Sequence, residues 1–128
     1  MYDPPRIERG SSYHVTKITV KSGACGFDVE VTAEKQEDRT VRITLAGECA
    51  MIRKMSEDLP GLDLRSLFIR HTENPVYRAA AKHLKHVACP VPAAVLKAAE
   101  VELGLNVAKD ASIRFECAGS AAEKPDEP

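Results

Sequence analysis

Two imidazoles and a thiol fall in one short stretch, His83-Leu84-Lys85-His86-Val87-Ala88-Cys89-Pro90-Val91-Pro92, at the junction of two predicted helices. Imidazole nitrogen and thiolate sulfur are zinc ligands, and thiolate sulfur also holds iron-sulfur clusters. Three thiols, Cys25, Cys49 and Cys89, with His86 would make a Cys-Cys-Cys-His set. His83 could replace His86, because positions three apart share a helix face. No group of Asp and Glu lies near these positions, so an oxygen cage for calcium or magnesium is not in view. Neither is a Cys-x-x-Cys pair, which removes the spacings of zinc ribbons, thioredoxin-like proteins and ordinary ferredoxins.

Two other readings compete. Free cysteine packs as a small hydrophobe, so the thiols could be core residues without a ligand. Alternatively, Cys89 at a helix start could be a redox-active nucleophile with His86, three residues earlier, as its base. The sequence offers no phosphate loop to support enzymatic chemistry, since Gly23 to Gly26 is too short and wrongly spaced. The fourth cysteine, Cys117, follows Ile113 and Phe115 in an alternating run and reads as core.

The composition narrows the setting. The 128 residues suffice for one domain with a real core. The formal net charge of -1 is spread along the chain without a basic run, which argues against nucleic acid and membrane as partners. The start, Met1-Tyr2-Asp3-Pro4-Pro5-Arg6, lacks the order of a signal peptide, so the expected location is cytoplasmic. Cysteines in that compartment are expected as reduced thiols or ligands rather than disulfides.

The elements that must position the thiols follow from periodicity. Residues 1–12 and 119–128 are polar and proline-punctuated, and read as tails around a single domain over 13–118. A first strand spans His14 to Val20. Phe27, Val29, Val31 and Ala33 alternate with polar residues as a second strand, and Val41, Ile43 and Leu45 as a third. The period then changes. Ile52, Met55 and Leu59 mark a helix that Pro60-Gly61 stops; Leu62 to Ile69 suits either a short helix or a strand. Asn74-Pro75 starts a second helix with Val76, Ala80, Leu84 and Val87 on one face, ending near Val87 or Ala88 because Pro90 forbids its continuation. A third helix carries Val95, Leu96, Ala99 and Leu103, with Gly104 as its left-handed cap. The run from Ile113 to Cys117 alternates as a fourth strand. The expected fold is α+β, a two-layer sandwich of a mostly antiparallel four-stranded sheet with helices on one face.

Strand direction then places the sulfurs. In an antiparallel meander, the turn carrying Cys25 and the helix start carrying Cys49 lie at the same end of the sheet. If the fourth strand pairs parallel to the first or third, the helix before it runs the opposite way, and Cys89 joins that end. Cys49 and Cys89 would then sit at helix N-termini, which stabilise thiolate.

Ser22-Gly23-Ala24-Cys25-Gly26-Phe27 looks superficially like the cysteine loop of the A-type iron-sulfur carriers, whose closely spaced C-terminal cysteine pair has no counterpart here. Cys25-Gly26-Phe27, Cys49, Pro75-Val76-Tyr77 and His86 through Pro92, running on to Lys97 and Gly104, more closely resemble a family of small prokaryotic domains of unknown function. That resemblance implies a compact single domain and draws attention to Cys25, Cys49, His86 and Cys89, without an activity to borrow. The expectation is therefore an accessory or electron-transfer protein with a zinc or iron-sulfur site. A module that binds a protein partner without metal, and a thiol redox enzyme, are the alternatives.

Overall fold

The computed structural model describes residues 15–116, so the expected tails, His14 and Cys117 lie outside it. Three strands, β1 (Val15–Lys21), β2 (Asp28–Lys35) and β3 (Val41–Gly47), form an antiparallel meander in the order β1-β2-β3. Alternation decides which side chains face inward. Val29, Val31 and Ala33 of β2 and Val41, Ile43 and Leu45 of β3 are buried, while Lys17, Glu30, Arg42 and Thr44 are exposed on the other face.

Three helices complete the fold: α1 (Ala50–Asp58), α2 (Pro75–His83) and α3 (Val91–Glu102). α3 packs across all three strands, α1 packs on β3, and α2 lies against both helices. Ala98 and Ala99, both fully buried, let α3 approach the sheet closely beneath Val91 and Val95. Ile52 and Met55 supply the buried face of α1. The segment between α1 and α2 combines both expected tendencies. Leu62 bridges to Val41, and Leu64–Phe68 then forms a 3-10 turn capped by the Asp63 side chain on the Ser66 N–H. Asn74 caps α2 as its sequence predicts, accepting from the Val76 N–H at 2.9 Å and donating to the carbonyls of Ser66 and Ile69.

Two expectations need correction. The fold is α+β with helices over one face, but the fourth strand does not form among the described residues: Ile113 to Glu116 has irregular backbone, with Ile113 88% and Phe115 98% exposed. Alternation alone cannot make a strand without a neighbour to receive its hydrogen bonds. Secondly, α2 ends at His83, well before Val87. Leu84 turns to extended backbone while its N–H still closes on the Ala80 carbonyl, and Val87 is fully exposed in the following turn rather than on the apolar face. The Pro90 restriction sets only the latest point at which α2 could stop.

α3 ends in the expected way. Gly104 has φ 79°, its N–H donates to the Val101 carbonyl, and the Leu105 N–H donates to the Glu100 carbonyl.

Candidate functional site: a three-thiol end of the sheet

The hairpin between β1 and β2 places the first thiol. Cys25 closes a 3-10 turn, Gly23–Cys25, bounded by left-handed glycines, Gly23 at φ 85° and Gly26 at φ 80°. A side chain at either glycine would strain the turn. Cys25 is exposed. Its turn lies beside the end of β3, because Lys21 pairs with Asp28 and Val29 with Gly47. At Gly47 the two strands approach so closely that a β-carbon would sit 2.8 Å from the Asp28 carbonyl oxygen.

Two residues beyond Gly47, Cys49 is the N-cap of α1 and makes no side-chain capping hydrogen bond. It is half-buried against the core.

Cys89 arrives by a different route from the one the sequence suggests. With no fourth strand among the described residues, the direction of α3 is fixed by Glu102 at its other end. One Glu102 oxygen accepts from the Thr16 hydroxyl at 2.7 Å, and the other from the Lys35 N–H at 3.0 Å. Those partners lie where β1 begins and β2 ends, so the start of α3 points to the opposite end, where Cys25 and Cys49 lie. Glu102 is 4% exposed and went unremarked in the sequence. The signal was available: it falls in the apolar stripe of Val91, Val95, Ala98 and Ala99, where a lone carboxylate needs buried partners.

The three thiols feel one another. Burial pushes the Cys89 thiol above its ordinary value, the Val91 N–H draws it partly back, and the charges of Cys25 and Cys49 push it further up. Like charges brought together favour protonation of one member, and a thiol held protonated is a poor nucleophile. Cys25, Cys49 and Cys89 are all free thiols. Among the described residues, however, no three His, Cys, Asp or Glu side chains are gathered as a metal-ligand set.

The two histidines part company. His86 and Cys89 begin and end one tight turn, with the Cys89 N–H donating to the His86 carbonyl at 3.2 Å, and the His86 side chain is exposed. His83 Nε2 instead lies 2.7 Å from Asp58 Oδ2, at the end of α1 remote from Cys49, and Lys82 approaches the same oxygen at 3.3 Å. The His83 hydrogen bond, then the Lys82 hydrogen bond and charge, hold Asp58 below the usual carboxylate range. The substitution of His83 for His86 is therefore unsupported. An open groove of about 820 Å³ near that cluster, lined by Asp58, Glu73, Arg78 and Lys82 among others, contains none of the thiols. The His71 ring lies 5.2 Å from that of Tyr77.

No helix among the described residues is long and apolar enough to cross a membrane. Neither the curated proteins nor the solved structures provide a match to the chain. A family model does, over residues 16–115, and on that match the protein belongs to the family of unknown function DUF6951.

Proposed function

We propose that the protein is a cytoplasmic accessory protein that holds a soft metal ion, zinc or the iron of an iron-sulfur cluster, with Cys25, Cys49 and Cys89, and with His86 as a fourth ligand. The observation that carries this reading is the convergence of three free thiols from three separate elements on one end of the sheet.

The donor chemistry fits. Three sulfurs and an imidazole suit zinc in tetrahedral geometry, and ligation replaces the thiol protons with the cation. Cys49 caps the start of α1 and Cys89 stands immediately before α3, so both sulfurs are carried by rigid elements. Cys25 and His86 are exposed, so they are the ligands that move in when the ion arrives, while the half-buried Cys49 and Cys89 form the fixed base.

The test is elemental analysis and an absorbance spectrum on protein purified without oxygen, beside Cys25→Ser, Cys49→Ser and Cys89→Ser. Stoichiometric metal lost in all three variants is the expected result, with visible absorbance distinguishing an iron-sulfur cluster from zinc. Folded protein that takes up neither metal when each is supplied, with variants indistinguishable from the parent, would overturn the reading.

A further inference from the structure

The two edges of the sheet are finished differently. Along β3 several outward backbone groups are taken by the chain itself: Val41 exchanges hydrogen bonds with Leu62 at 2.7 and 3.0 Å, the Leu45 N–H donates to Ser56 Oγ at 2.9 Å, and Arg53 donates to the Gly47 carbonyl at 3.1 Å. Odd-numbered residues of β3 thus bond outward, and the pairing register carries this alternation across the sheet. Val15, Lys17, Thr19 and Lys21 of β1 then present their N–H and C=O groups away from β2. Among the described residues no strand pairs with that edge. An open edge is a template for another strand.

The chain also carries a strand pattern without a sheet. Ile113 and Phe115 are exposed and alternate with Arg114 and Glu116. Both apolar residues lie inside the region matched by the family model, so they belong to the domain rather than to an appendage.

We propose that the Ser112–Glu116 segment of a second copy of this chain adds to the β1 edge, in a reciprocal two-fold exchange. The side-chain parity fits. With the inward rows aligned, Ile113 and Phe115 fall beside Ile18 and Val20, which pack on the core beneath α3. Arg114 and Glu116 then fall in the outward row, beside Lys17, Thr19 and Lys21. An antiparallel alignment with Phe115 opposite Ile18 puts the Glu116 carboxylate opposite the Lys17 ammonium. A two-fold exchange makes the contact twice, which doubles the apolar surface removed from water for one association.

Sedimentation velocity of the full chain across a wide concentration range tests this, with Phe115→Asp and Thr19→Pro as variants. Phe115 is exposed in the single chain, so its replacement leaves the fold intact. Proline at Thr19 removes an outward N–H that the β1–β2 ladder does not use. The expected result is a monomer–dimer equilibrium weakened at least about tenfold in each variant, a loss typical of a central interface anchor, with an unchanged circular dichroism spectrum. A chain that stays monomeric at every concentration, including one whose own segment closes the edge, would overturn the proposal. So would a dimer as tight in both variants as in the parent.

Discussion

The two ends of α3 are held in opposite ways. At the C-terminal end, Glu102 is buried with both oxygens hydrogen-bonded to the sheet, and the backbone closes through Gly104 and Leu105. At the N-terminal end, Pro90 makes no side-chain capping bond, and the nearest side chain with chemistry is Cys89, which shares its surroundings with two other thiols. One end commits its polar groups to the fold. The other holds its sulfurs by partial burial and, at Cys89, by the Val91 N–H, without joining any of them in a disulfide.

The largest expected effect tests that division directly. Glu102→Ala removes two hydrogen bonds to a charged acceptor, each worth about 1.5–3 kcal/mol, so we expect about 3 kcal/mol lost in urea unfolding. Cys25→Ser, in an exposed turn, should change stability by less than about 0.5 kcal/mol. Equal losses in the two variants would erase the contrast. Gly47→Ala follows in size: the β-carbon meets the Asp28 carbonyl, and overpacking of this kind costs about 1–3 kcal/mol. The strain is centred between the Cys25 turn and Cys49, so if the proposed site holds metal, its uptake should fall with stability.

Alkaline unfolding sharpens the thiol end. The folded protein holds the Cys89 proton more tightly than the unfolded chain does. That stability is complete below the ordinary thiol value and is lost as pH rises through the folded value. Urea midpoints should therefore decline with pH in that range for the metal-free parent and decline less for Cys89→Ala. The smallest effect lies on the acid side. Asp58 is depressed in the folded state, so its contribution is present above the ordinary carboxylate value and disappears as pH falls through the folded one. His83→Gln should make that acid loss shallower while leaving the neutral midpoint nearly unchanged, as exposed ion pairs are worth little.

Much of the fold was legible because periodicity is a local property. The alternation of β2 and β3, the Asn74-Pro75 start and the Gly104 stop each carry their own physical reason within a few residues. The end of α2 was less so: where Leu84 leaves the helix, no local breaker stands. Ile113 to Glu116 has the alternation but lacks a receiving strand among the described residues. The placement of Cys25 and Cys49 at one end of the sheet follows from meander direction, as the sequence suggested. Cys89 reaches the same end through the Glu102 staple and not through a parallel fourth strand, a contact between distant positions that no window of sequence displays.

That staple joins positions 86 residues apart, whereas the meander pairs neighbours in the chain. Closing so long a loop costs entropy before any contact repays it, which delays such contacts in folding. During synthesis, Cys25 and Cys49 emerge first and can be arranged by the hairpins alone. Cys89 comes later and joins them only when α3 docks. The three thiols are therefore together only once α3 has docked, and any ion that binds all three selects finished molecules over partly folded ones.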